Sequence, residues 1–186
     1  MNVIEEQLTG INQFLRLPEF KPSMDYYNGR AIQKMSPRIR HSIIQTEMIY
    51  KLGEHTRPLK LGGVFAELRC TLDDTSFVFD LCFFLQDRRP KVPRDERAHV
   101  TIPPDLAIEV LSPGQTVGEL RQKFQAAIRK GLRLGWLIAP RLKQVLIFPG
   151  EGRPKVLKPG DLLTGGDILP EFKRPVDEIF GWLDPQ

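Results

Sequence analysis

The chain has 186 residues, 27 Lys+Arg against 23 Asp+Glu for a formal net charge of +4, and 41% hydrophobic residues. That apolar share excludes a disordered polymer, and at this length it is enough for one domain, residues 1–186, with a buried core. The mild positive excess permits a nucleic-acid partner without demanding one. No apolar run approaches the ~20 residues needed to cross a bilayer. The start, MNVIEEQLTGINQF, has neither the basic nor the apolar region of a secretory leader. A cytoplasmic protein with no membrane partner is expected, and Cys70 and Cys82 read as buried, reduced thiols.

In chain order, a short helix is expected around Glu5–Leu15, ending before Pro18. Asn28-Gly29 is a hairpin-turn dipeptide, with Ala31–Met35 as the returning strand. Ile44, Met48 and Leu52 recur at helical spacing within a helix from about His41 to Glu54. Two strands, Val64–Leu72 and Ser76–Leu85, flank an Asp73-Asp74 turn. The stretch 86–102 is polar and Pro-interrupted and reads as a loop excursion. Asp105–Leu111 is nearly all apolar at its end and should be a central strand. A helix from Thr116 to Lys130 follows, with Val117, Leu120, Phe124, Ala127 and Ile128 on its apolar face and Gly131 as its stop. Trp136–Ala139, Gln144–Phe148 and Lys155–Leu157 read as strands, and Pro175–Leu183 as a closing helix. This order describes an α/β (α+β) fold with an αβββαβ core, a mixed sheet flanked by helices.

The central hairpin carries the chemistry. If its turn is symmetric, residues whose numbers sum to 147 face each other, and Glu67 lies opposite Asp80. Like charges in that position repel, and both sit among apolar neighbours, where unpaired carboxylates are costly. A divalent cation would compensate; so would Arg69, on the same face as Glu67. Asp105 and Glu109 are four apart and point to one side of their strand. Glu109 lies between Ile108 and Val110, which suggests a site acid, although an edge-strand glutamate facing water would look the same. Asp105 sits at the strand's start and could simply end the loop. Lys123 lies on the flank of its helix, where an amine can reach the sheet or remain in solvent.

The segments KMSPRIRHSIIQ (34–45), AELRCTL (66–72), FVFDLCFF (77–84), PPDLAIEVLSP (103–113), KGLRLGWLIAP (130–140) and DILPEFKRPVDEIFGWL (167–183) resemble the Uma-type endonuclease-like family, a former domain of unknown function expanded in cyanobacteria. The likeness runs from about Thr9 to Leu183. It implies the restriction-endonuclease-like fold of the PD-(D/E)XK nuclease superfamily. Asp80 then matches the metal-binding Asp, Glu109 the acid of the (D/E)XK half, Glu67 a strand glutamate and Lys123 a helix lysine; His41 and Gln45 match the start of the first helix. Three positions depart from the pattern. Phe79 stands where Pro is usual, Leu111 occupies the (D/E)XK lysine position, and Ala139-Pro140 replaces Asp-Pro. The first two weigh on catalysis more than on fold.

The resemblance implies a Mg²⁺- or Mn²⁺-dependent endonuclease acting on nucleic acid, DNA in the first instance. Asp80, Glu109 and Glu67 would hold the metal, Lys123 would act on water or on the developing charge, and Asp105 and His41 would support them. Arg88, Arg89 and Lys91, with Arg94 and Arg97, either grip phosphates or form a solvated loop. Cutting both strands often requires a dimer, so a homodimer is among the expectations. The rival from another class is a non-catalytic nucleic-acid-binding or protein-interaction module with a relic site.

Overall fold

Apolar side chains on the core strands alternate between two faces, and two differently built layers cover them. The structure, a computed structural model, describes residues 10–91 and 99–184. Its elements in chain order are α1 (Ile11–Phe14), β1 (Met24–Tyr27), β2 (Arg30–Gln33), α2 (Ile39–Thr56), β3 (Gly62–Ala66), β4 (Arg69–Leu72), β5 (Thr75–Val78) and β6 (Leu81–Leu85). After a 3₁₀ turn at Gln86–Arg88 come β7 (Leu106–Val110), α3 (Val117–Arg129), β8 (Leu134–Ala139), β9 (Gln144–Pro149), β10 (Lys155–Leu157), β11 (Leu162–Gly165), β12 (Leu169–Pro175) and α4 (Val176–Gly181).

The main sheet runs β10-β9-β8-β7-β6-β3. Among the described strands of this sheet only β7 and β8 pair in parallel, and α3 supplies the crossover such a pair requires. One face carries Leu81, Phe83, Ile108, Val110, Trp136 and Ile138, packed against Ile44, Met48 and Leu52 of α2 and against β11, β12 and α4. The other carries Cys82, Phe84, Ala107, Leu137 and Phe148 under Leu120 and Phe124 of α3. Phe124 stacks on Phe148 with ring centroids 4.9 Å apart. Gly131, at φ +100, ends α3 in the left-handed region where a side chain would be strained.

A second sheet, β2-β1-β5-β4, lies on the α3 side. Asn28 and Gly29, at φ 52 and 73, make the tight turn between β1 and β2, as their sequence suggests. The central hairpin keeps the register sum of 147 throughout, from Gly62↔Leu85 to Leu72↔Thr75. It is not two continuous strands, however. Each arm breaks near the middle, so that β4 and β5 belong to the small sheet and β3 and β6 to the large one. On one arm the break is Glu67, held at φ 49, a conformation that costs a non-glycine residue about 1–2 kcal/mol. On the other it is Phe79-Asp80, next to the acid that the two sheets enclose. Of the expected opening helix residues 10–15 are described, and Ile11–Phe14 are helical; the β11–β12 ribbon was not legible in the tail.

Candidate active site

Where the hairpin changes sheets, its side chains meet the end of β7. Leu81 pairs with Ile108, so one step further along the register Asp80 reaches the level of Glu109. Both are buried, at 2% and 1% exposure. The Val110 N–H donates to Asp80 Oδ2 at 2.8 Å, and the Glu67 N–H donates to the Asp80 carbonyl at 3.2 Å. The Asp80 carboxylate therefore closes a main-chain gap that the interrupted ladder would otherwise leave open.

Two cations and a histidine complete the cluster. Lys34, just after β2, donates to Asp80 Oδ1 at 2.6 Å. His41, in the first turn of α2, hydrogen-bonds Asp80 Oδ2 through Nε2 at 2.8 Å, and Gln45 donates to the Asp80 carbonyl at 3.1 Å. Lys123 has all three protons engaged: by Glu109 Oε1 at 2.6 Å, by Asp25 Oδ2 at 2.7 Å and by the Val78 carbonyl at 3.0 Å. Asp25 in turn accepts from the Val78 N–H at 2.6 Å. The flank position of Lys123 thus faces inward, and the amine is buried.

The charges oppose one another strongly. Burial works against ionisation of Asp80, but the Lys34 charge and the His41 hydrogen bond outweigh it and hold the carboxyl well below the usual range. For Glu109 burial wins, helped by the Asp80 charge, and its carboxyl is pushed up to about 7 despite Lys123 and Lys34. Burial also works against a charged Lys123, yet Asp25 and Glu109 keep its ammonium more firmly protonated than an ordinary lysine. Lys34 is stabilised in the same sense by Glu109, Asp80 and Asp25.

Not every expected residue joins the cluster. Glu67 is exposed; it lines an open cleft of about 420 Å³ with Lys34, His41 and Asp80, so it stands at the rim and not among the buried acids. Arg69 pairs with neither Glu67 nor Asp80; it donates to the Met24 carbonyl and to Ser76. Asp105 is at the opposite end of β7, about 13 Å along the strand from Glu109 at ~3.3 Å per residue. There it accepts from the Leu85 N–H, from Arg133 at 2.9 Å and from Arg88. It is a buried anchor joining β6, β7 and the start of β8, and does not support the site. Arg88 is thereby committed to Asp105 and the Pro103 carbonyl, and Arg89 lies over the Phe65 ring. With Lys91 they follow the far end of β6, roughly 20 Å along the chain from Asp80, too distant to touch a phosphate held there. Arg94 and Arg97 lie outside the described residues.

Asp25 and Lys34 are absent from the sequence reading of the site. Lys34 opens the KMSPRIRHSIIQ segment, a signal of family likeness but not of contact with Asp80. Asp25 alternates with apolar residues in MDYY, the pattern that drew attention to Glu109, and the same reasoning could have found it.

This arrangement is that of a restriction-endonuclease-like protein: a mixed sheet between helices with acids on adjoining strand ends and a lysine turned toward them. The Uma2 family, described as "Putative restriction endonuclease", matches residues 11–177, and the chain belongs to it. A crystal structure described as a putative nuclease belonging to DUF820, from Anabaena variabilis, is similar at a TM-score of 0.84 and 30% identity, over 95% of this chain and 99% of that one. No curated protein matches the chain.

Proposed function

We propose that this protein is a metal-dependent endonuclease that hydrolyses phosphodiester bonds of nucleic acid, with DNA as the substrate its family's description points to. The juxtaposition of Asp80 and Glu109 beside an open cleft carries the reading. The cluster sets three buried carboxylates, Asp25, Asp80 and Glu109, against two ammonium groups, Lys34 and Lys123. One negative charge is left over, and Glu109 bears the consequence. A hard divalent cation fits this donor set, because carboxylate oxygens are its preferred ligands and Mg²⁺ is commonly held by one or two of them, with water and substrate phosphate completing the shell. Among the described residues no three or more metal-binding side chains are arranged to hold a metal ion by themselves, and in this reading water and substrate oxygens complete the shell.

In this reading Asp80 and Glu109 hold Mg²⁺ or Mn²⁺, and Glu67 contributes from the cleft rim through water. The bound cation would polarise the phosphate and lower the pKa of a water. Lys123, tied to Asp25, positions Glu109. His41 and the Val110 N–H fix Asp80. Lys34, whose side chain is 10% exposed at the cleft wall, is the amine placed to stabilise charge on a phosphate. It takes the part that Leu111 cannot play.

A second reading has one observation in its favour: Lys34 and Lys123 already pair with the two key carboxylates, as they would in a nucleic-acid-binding module without catalysis. Cleavage of plasmid, linear and branched DNA and of RNA, each with Mg²⁺, Mn²⁺ or EDTA, separates the two. Metal-dependent cleavage abolished by Asp80→Asn supports the nuclease. Intact substrates, with no effect of millimolar metal on melting, refute it. Size measurement of the protein on duplex DNA tests whether a homodimer does the cutting.

A further inference from the structure

The two long helices begin in opposite ways. Thr116 closes α3 with a capping box, accepting from the Glu119 N–H at 3.1 Å while Glu119 accepts from the Thr116 N–H at 2.7 Å. α2 starts from Arg38, whose side chain makes no cap, and its first turn contains no acid. Its hydrogen bonds begin with the Ser42 N–H to the Arg38 carbonyl at 3.0 Å, so the N–H groups of Ile39, Arg40 and His41 have no intrahelical acceptor. Positive side chains at the positive end of a helix dipole repel it, yet this end carries Arg38 and Arg40.

These groups share a cavity of about 440 Å³ with Arg141, Ser112 and Gln115, and no acid lines it. Among the described residues Arg38, Arg40 and Arg141 form no ion pair, whereas Arg88 and Arg133 are held by Asp105 and Lys130 by Asp73 and Asp74. The cavity opens at the carboxyl ends of β7 and β8, the parallel strands, where α/β sheets commonly take ligands. His41 lines both this cavity and the cleft that contains Asp80. It is buried, and while its Nε2 holds Asp80, its Nδ1 has no hydrogen-bond partner.

We infer that this cavity is a phosphate-binding subsite, where Arg38, Arg40, Arg141 and the open end of α2 hold a phosphate of the nucleic-acid strand next to the one at Asp80. The inference rests on the nuclease reading and extends it: the strand passes over His41, with one phosphate on each side. The positive end of a helix is a ready anion site, and arginine is the side chain suited to gripping phosphate oxygens in pairs. The basic surface in question then lies at the start of α2, away from Arg88 and Arg89.

Binding measured in EDTA tests this without cleavage. Fluorescence anisotropy over a range of KCl concentrations would follow a short single-stranded oligonucleotide with or without a 5′-phosphate. Arg38→Gln with Arg141→Gln should weaken binding by about tenfold or more. It should also reduce the slope of log K against log salt by about 0.7, the loss of one single-strand phosphate contact. The melting temperature should not fall, since both arginines are exposed and unpaired. Loss with both oligonucleotides identifies an internal phosphodiester as the ligand; loss confined to the phosphorylated one identifies a strand end. Unchanged binding of both, or an equal loss in Arg153→Gln with Lys155→Gln, which lie with Leu134 and Pro149 toward the opposite end of β8, overturns the subsite. Cleavage by the wild type and by Asp80→Asn is scored separately. A protein that cuts but binds independently of the arginines loses the subsite alone. One that binds through them but never cuts loses the nuclease reading alone.

Discussion

Between pH 5 and pH 8 the stability of the metal-free protein should fall, and Glu109→Gln should remove most of that fall. Glu109 is 1% exposed, and its carboxyl is raised from 4.5 to about 7, first by burial and then by the Asp80 charge. Through that window the folded chain keeps a proton that the unfolded chain has released, so stability declines as pH rises. A displacement of this size corresponds to about 3 kcal/mol, present below the unfolded carboxyl's range and gone once the pH passes the folded one. That is a large part of the 5–15 kcal/mol typical of a domain. Asp80 has the opposite sign: its depressed carboxyl adds stability that is present above the ordinary Asp range and lost only at lower pH. The two windows do not overlap. Urea melts in EDTA at half-unit steps, on the wild type and on Glu109→Gln, isolate the Glu109 contribution as the difference between the two proteins. Millimolar Mg²⁺ should flatten the wild-type slope, since a cation at the carboxylates favours their ionised form. A wild-type minus Glu109→Gln difference that does not change with pH would refute the account of a buried, repelled acid.

Mg²⁺ or Mn²⁺ should raise the melting temperature, by a shift that Asp80→Asn abolishes, as followed by differential scanning calorimetry. Lys34→Ala should lower the cleavage rate on the order of a hundredfold while the metal-induced shift is kept or enlarged, because the amine assigned to the phosphate also competes with the cation for Asp80; cleavage at the wild-type rate would return the role to another cation. Lys123→Ala should destabilise by about 3–5 kcal/mol in urea melts, since it leaves Asp25 and Glu109 buried without their shared partner. Asp105→Ala should cost about 2 kcal/mol through the Leu85 N–H and the two arginines it abandons, and it should leave the metal-induced shift intact.

The hairpin shows how far the sequence could be read. A symmetric Asp73-Asp74 turn requires the register sum of 147, and that sum holds along both arms. The consequence expected for Glu67 does not follow, because a main-chain step into the left-handed region turns the side chain out of the sheet, and no periodicity foretells such a step at a glutamate. Glu109 was legible as an acid in an apolar strand, and Lys123 as a flank residue able to reach inward. Lys34 was not, because it lies 46 residues from Asp80 and only the pairing of β1 with β5 brings the N-terminal hairpin to the site. Asp105 misled for the opposite reason. Sharing a face with Glu109 fixes direction but not distance, and its partners Arg88 and Arg133 come from loops whose destinations local pattern does not reveal.

Two main-chain amides in the cluster end on side-chain oxygens: Val78 on Asp25 and Val110 on Asp80. Each is therefore a resident probe. Asp80 is the carboxylate assigned to the cation, so the Val110 proton should shift most in a nitrogen–proton correlation spectrum when Mg²⁺ is added, and the Val78 proton, linked to Glu109 only through Asp25 and Lys123, should shift less. Their neighbours within the ladder, held by carbonyls, should not shift. The interruption that divides the hairpin between two sheets thus leaves the backbone able to report, residue by residue and without any substrate, on what occupies the acids beside it.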